Sequence, residues 1–289
     1  MMNTKELIKK FNIHPTKSLG QNFLTDENMV DRIIMAADIT SNDLVIEIGP
    51  GVGSMTWKLA LEAGWVTAIE IDKHLIPALT ESLSNIHNIT MINNDIMKLG
   101  FNDVIAASAN NTGRQPVWNS IKVVANLPYY ITTPIIMKLL EDDWPVDVMV
   151  FMVQKEVADR MAAKPGTKDY GALSVAVQYY SQSEVVLNVP PHCFIPQPQV
   201  DSSVVKLSIR REPPVELKSK EMFFKTVKAA FGQRRKTLVN ALYNSSFFAG
   251  TKEDIKDMLK SIGINENQRG ETLSIIQFAA LSNLLFVEK

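Results

Sequence analysis

In VVANLPYY, residues 123–130, an apolar run of the kind that forms a buried strand ends on an amide, Asn126, followed by Leu127, Pro128 and two aromatic rings, Tyr129 and Tyr130. A neutral amide at that point is no base, but it can accept hydrogens. Oδ1 of Asn126 and the backbone carbonyl of Leu127 could grip both hydrogens of an exocyclic amine. The nitrogen is then drawn toward tetrahedral geometry and its lone pair aimed at an electrophile, an orientation effect that can supply several kcal/mol of a barrier. Pro128 stiffens the turn so that the Leu127 carbonyl can face a ligand. Tyr129 offers a face on which an extruded base can stack, worth roughly 1–3 kcal/mol. The alternative for both tyrosines is packing in a core, the usual fate of aromatic pairs.

Three further strand ends carry suitable groups. EIGPGVG, Glu47 to Gly53, is a glycine loop, yet counting from Gly49 and Gly51 the third glycine of a dinucleotide fingerprint falls on Ser54. The pattern therefore fails at its packing position, which points to a nucleoside ligand without a pyrophosphate, such as S-adenosylmethionine; a tight strand-to-helix turn is the alternative. Glu70 closes the next apolar run about twenty residues on, where an acid can accept both ribose hydroxyls, or can be a solvated strand end. Asp95, in NND, could take the exocyclic amine of an adenine or could form an ordinary Asx turn. The conjunction of the three at successive strand ends is far less expected by chance than any one of them.

The elements that must position these groups are legible as an alternation. NDLVIEIGPG reads as strand and loop, SMTWKLALEAG as helix, WVTAIEID as strand, and KHLIPALTESL as a helix with Pro77 in its first turn. NITMINND, IKVVANLPYY and VDVMVFMVQ continue as strands, with TPIIMKLLEDD and KEVADRMAAK as helices. Alternation of this kind predicts an α/β fold with a doubly wound parallel sheet, whose ligands lie at the carboxyl ends of the strands. SEVVLNVP and SSVVKLSIR read as a closing strand pair. Residues 100–120, rich in Asn, Ser and Gly, read as a long surface connection with room for one helical turn. Paired prolines in REPPVELKSK break the periodicity, and four helical segments follow. The expected division is a catalytic domain over 1–211 and a small all-α domain over 212–289.

With 46% hydrophobic and 21% charged residues in 289, disordered and fibrous classes are excluded and two folded domains are favoured. The start of the chain lacks an apolar signal core and no run of eighteen apolar residues occurs, so a cytoplasmic protein without membrane association is expected. One cysteine and four scattered histidines offer no metal-ligand spacing, so no metal is expected. Net charge is −1, but from Arg210 onward fourteen Lys and Arg face nine Asp and Glu, leaving sixteen against twenty-two elsewhere. A basic module joined to an acidic one suits a grip on a polyanion, although most basic helices are merely solvated.

KSLGQNFL, EIGPGVG, AIE, NND, NLPYY, FIPQPQVDSSV and FGQRRKTL together resemble the KsgA/Dim family of ribosomal RNA adenine dimethyltransferases, and the similarity runs over nearly the whole chain. The resemblance implies a class I, Rossmann-like, S-adenosylmethionine-dependent methyltransferase. Such an enzyme dimethylates the N6 amines of two adjacent adenosines near the 3′ end of 16S ribosomal RNA in an assembling 30S particle, releasing S-adenosylhomocysteine. It further implies that Asn22 and Leu24 help hold the cofactor with Gly49, Gly51, Glu70 and Asp95, and that Asn126 meets both cofactor and target amine. Phe194 is expected to close the far face of the target base opposite Tyr129. Arg234, Arg235 and Lys236 are expected to contact RNA phosphates, and the protein to act as a monomer.

Read without the resemblance, GQNFL is a glycine turn before a helix, FIPQPQV a stiffened loop whose Phe194 plugs the core, and GQRRK a solvated helix start. Two other functions stay open: a large-subunit adenine methyltransferase of the macrolide-resistance type, and a noncatalytic assembly factor on the same fold.

Overall fold

The molecule is described from a computed structural model, which covers residues 3–112, 118–245, 247–248 and 250–286. Its strands are β1 (Phe23–Leu24), β2 (Asp43–Ile48), β3 (Trp65–Glu70), β4 (Ile89–Asn93), β5 (Ser120–Asn126), β6 (Val148–Gln154), β7 (Ser181–Val189), β8 (Phe194–Ile195) and β9 (Ser202–Ile209). Seven of them form one sheet in the order β4-β3-β2-β5-β6-β9-β7. The pairs from β4 through to β6 are parallel, and β9 returns antiparallel on β6. β1 and β8 form a separate antiparallel pair, with Leu24 opposite Phe194.

Every residue of β2 is buried, and β5 is buried from Lys122 to Ala125. Continuous apolar runs of this kind belong to strands covered by helices on both faces. The strand order reverses between β2, which is followed by β3 on one side, and β5 on the other. A crevice opens at such a switch point, outside the carboxyl ends of the strands. Register brings the ends together: Ile48 sits level with Ile69 and Ala125, Glu70 with Asn93, and Asn126 with Met152.

The amino end of the sheet carries a buried ion pair. Lys122 Nζ lies 2.9 Å from Asp43 Oδ2, with the two side chains 8% and 4% exposed. Lys122 also donates to the Asp38 carbonyl, and Asp43 accepts the Thr40 N–H at 2.8 Å.

Two stretches differ from the sequence expectation. Phe101–Thr112, in the supposed surface connection, is a helix of twelve residues, while residues 113–117 lie outside the described ones. Its polar composition conceals a core face. Val104 and Ser108 are fully buried, and the Ser108 hydroxyl is satisfied by the Thr67 hydroxyl at 2.6 Å and the Val104 carbonyl at 2.7 Å. A serine paired in this way packs as an apolar residue does.

The second difference concerns domain organisation. One compact unit runs up to Ala158 and resumes over Glu184–Ile209; the other joins Asp159–Ser183 to the chain from Arg210 onward. A single cut at 211/212 leaves Asp159–Ser183 with the sheet, whereas its aromatic side chains go to the C-terminal helices. Tyr179 packs on Phe223 and Phe224 with ring centroids 5.4 and 5.5 Å apart, and the Tyr170 hydroxyl donates to the Leu273 carbonyl at 3.0 Å. Among the described residues no helix is long and apolar enough to cross a membrane.

Lys122→Met, which strands the Asp43 carboxylate in the sheet, is expected to lower stability by about 3–5 kcal/mol in urea unfolding, and adding Asp43→Asn to recover part of the loss. Equal stability of the single variant and the parent would remove the structural role given to this pair.

Candidate active site

The crevice is lined by the segment from Leu19 to Leu24, the loop Glu47–Val52, Glu70 and Ile71, Asn94–Ile96, and the turn Asn126–Ile131. With the open space at its mouth included, its volume is about 1140 Å³.

The glycine loop is held from the neighbouring strand. Gly49 N–H donates to the Ile69 carbonyl at 2.9 Å, and Gly51 N–H to Glu70 Oε2 at 3.1 Å. Gly51 has φ +61°, and a Cβ there would come within 3.2 Å of the Phe23 ring. The conformation favours glycine at this point, and a side chain would also crowd the Phe23 ring.

Glu70 is 4% exposed. Its Oε1 accepts the Asp72 N–H at 2.8 Å, so each carboxyl oxygen has one backbone donor and a lone pair still to offer. Burial nevertheless pushes its pKa up. Asp95 caps the short turn Ile96–Lys98, its Oδ1 accepting the Met97 N–H at 2.9 Å. The Asx-type cap and a ligand role coexist here, since the capping oxygen is one of two and the residue also lines the crevice.

Asn126 closes β5 half-buried. Its Nδ2 donates to the backbone carbonyl of Asn22 at 2.9 Å, and the Asn22 side chain in turn donates to the Gly20 carbonyl at 3.2 Å. With the amide nitrogen so committed, Oδ1 is the end left for a ligand. Leu127 N–H donates to the Met152 carbonyl at 3.1 Å, while no donor among the described residues reaches the Leu127 carbonyl. The following carbonyl, of Pro128, is instead occupied by Ile131 N–H and the Thr132 hydroxyl, which closes the turn. Two uncharged acceptors therefore stand side by side at the strand end. Tyr129 is anchored at its far end, its hydroxyl 2.6 Å from Ser202 Oγ, and burial raises its pKa.

Two of the expected residues have contacts within the protein that the sequence does not show. Phe194 is 1% exposed and belongs to the core cluster of Leu24, Met55 and Val124; Leu24 and Met55 line the crevice, and Phe194 stands behind that lining. It lies opposite Leu24 where β8 pairs with β1, and its ring is buried as in the core-plug alternative. Arg234 donates to the carbonyls of Lys168 and Tyr170 at 2.7 and 3.1 Å and lies 3.6 Å from Glu271. It ties Asp159–Ser183 to the C-terminal helices while remaining exposed, as Arg235 and Lys236 are.

Glu47 is a residue that motif reading passes over. It is fully buried beneath the glycine loop, lines the crevice, and neither carboxyl oxygen has a hydrogen-bond partner among the described residues. Desolvation pushes its pKa up to about 8; the nearby Thr56 hydroxyl draws it down slightly and Glu70 raises it further. The signal was available, since an acid on an otherwise apolar strand demands a partner.

Residues 12–286 match the family model described as ribosomal RNA adenine dimethylase. The chain belongs to the ribosomal RNA adenine dimethylase family. Within it, the ribosomal RNA small subunit methyltransferase A of Clostridioides difficile is 51% identical over 98% of this chain and 94% of its own length. The protein of the same name from Geobacillus thermodenitrificans is 49% identical over 98% and 94%. Among solved structures, a dimethyladenosine transferase from Plasmodium falciparum superposes with a TM-score of 0.75 at 27% identity, covering 90% of this chain and 95% of that one. The 23S rRNA methyltransferase ErmE gives 0.67 at 27%, covering 91% and 99%.

Glu47 makes this family member's stability depend on pH with a definite sign. A carboxyl whose pKa is raised on folding keeps a proton that the unfolded chain has lost, so stability falls as pH rises from the ordinary 4.5 toward about 8. The slope approaches about 1.4 kcal/mol per pH unit in mid-window. Glu47→Gln is expected to abolish that component, measured as urea midpoints of both proteins at pH 5.5 and pH 8; parallel midpoints would show that Glu47 does not carry it.

Proposed function

We propose that this protein transfers methyl groups from S-adenosylmethionine to the N6 amines of adenosines in small-subunit ribosomal RNA, within an assembling particle. The observation that carries the reading is the Asn126 amide, tethered through Nδ2 to the Asn22 carbonyl beside the open Leu127 carbonyl.

The residues present fit the cofactor. Glu70 has a lone pair on each oxygen for ribose hydroxyls, Asp95 an oxygen for an adenine amine, and the glycine loop a backbone that a ligand can approach closely. Glu47, buried and unpartnered, suits a ligand that brings its own positive charge. When bound, S-adenosylmethionine supplies an electrophilic methyl group. Asn126 Oδ1 and the Leu127 carbonyl accept the two hydrogens of the target amine and hold its lone pair out of the ring plane. Being neutral, they orient the nitrogen without deprotonating it; the alkylated amine loses its proton readily to solvent. Preorganised acceptors of this kind act without reorganising at the moment of reaction.

The choice of small- over large-subunit RNA is supported by 51% identity to a small-subunit methyltransferase, against 27% to ErmE. A noncatalytic role is disfavoured by the intact set Asn126, Glu70 and Asp95.

Asn126→Ala is expected to lower kcat on unmethylated small subunits by about 100-fold or more, with the S-adenosylmethionine Kd changed only severalfold in calorimetry. Retained turnover would end the proposed role of the acceptor pair. Neutralising Arg235 and Lys236 together is expected to weaken particle binding and reduce its salt slope by up to about two units, while Arg234→Gln chiefly lowers thermal stability. A salt slope unmoved by the first change places the RNA contact elsewhere.

A further inference from the structure

Among the described residues, two large apolar side chains that line the crevice are also exposed: Ile71 at 50% and Tyr130 at 58%. Ile71 follows Glu70 and belongs with the nucleoside-binding carboxylates. Tyr130 lies on the other wall. β3 and β5 flank β2, so the two strand ends stand about 10 Å apart at the usual strand spacing. Tyr130 therefore accompanies the acceptor pair of Asn126 and Leu127.

Its exposure is not slack packing. The ring rests on Gly20, where φ is +58° and a Cβ would lie 3.1 Å from Tyr130 Cδ1 and 3.7 Å from Pro128 Cβ. The Cδ1–Cε1 side of the ring is thus seated at Gly20, in the segment that orients Asn126, while the residue stays 58% exposed. Tyr129, by contrast, is half-buried and tied to Ser202. Extruding a base toward Tyr129 unstacks its neighbour in the strand, and a fixed aromatic face one residue along can replace that lost stack.

We propose, on the footing of the adenosine methyltransferase reading above, that Tyr130 is a positioning residue for the RNA, stacking on the nucleobase adjacent to the one being methylated. Its contribution is to binding and registering the strand, not to the transfer itself.

The test compares Tyr130→Ala and Tyr130→Phe on unmethylated small subunits, with a model RNA carrying 2-aminopurine beside the target adenosine as optical probe. Tyr130→Ala is expected to raise KM for the particle by about five- to a hundredfold, the range for loss of one base–aromatic stack, with kcat and the S-adenosylmethionine Kd little changed. It is also expected to lose the quenching of 2-aminopurine that the parent produces, and Tyr130→Phe to restore both. The proposal is overturned if Tyr130→Ala leaves KM and quenching within twofold of the parent, or if it weakens S-adenosylmethionine instead. Absence of methylation by the parent protein overturns the functional reading itself, a separate result from parent activity that is indifferent to residue 130. Unchanged thermal unfolding of the exposed-site variants excludes misfolding as the source of any effect.

Discussion

One hydrogen bond, from Asn126 Nδ2 to the Asn22 carbonyl, decides what this crevice can do. An asparagine has a donor end and an acceptor end, and a free one at a strand terminus presents either. Committing the donor end to backbone leaves the acceptor end for a ligand's amine. The same bond ties the turn after β5 to a segment more than a hundred residues earlier, so the acceptor is held by two separate elements. Near it lies a series of contacts: Gln21 donates to Asp72 at 2.8 Å, Asp72 N–H to Glu70 and Gly51 N–H to Glu70, with the Phe23 ring where a Cβ on Gly51 would have to go.

The two buried carboxyls of the crevice show how position sets chemistry. Glu70, at a strand end, meets two backbone N–H groups, whereas Glu47, one strand over and under the loop, meets none. Burial raises the pKa of both, opposed at Glu70 by backbone N–H groups and at Glu47 by the Thr56 hydroxyl alone. A carboxyl left neutral and unpaired costs stability that an ordinary core residue would not. Its place in the lining of a ligand crevice, not in the remote core, gives that cost a use.

In the helical unit the lesson runs the other way. The basic run Arg234, Arg235 and Lys236 is uniform as text, yet the first of the three, itself exposed, also bridges two carbonyls of Asp159–Ser183 through its guanidinium. Five donors in a fixed fork make arginine apt for such bridging.

Period and punctuation alone determined the sheet-and-helix alternation, the glycine loop, the acids at Glu70 and Asp95 and the amide at Asn126, because each is a local matter of which residue ends a strand. The motifs also carried the family resemblance. Tertiary structure decided the rest. Residues 101–112 looked like a polar loop because Ser108 finds its partner, Thr67, on another strand, a pairing invisible along the chain. Asp159–Ser183 joined the helical unit through aromatic contacts across some forty to a hundred residues. Phe194 came to lie buried opposite Leu24 where β8 pairs with β1, and Asn126 gained its orientation from Asn22. Local propensity is written in neighbouring residues; which donor meets which acceptor across the fold is settled only when the chain closes on itself.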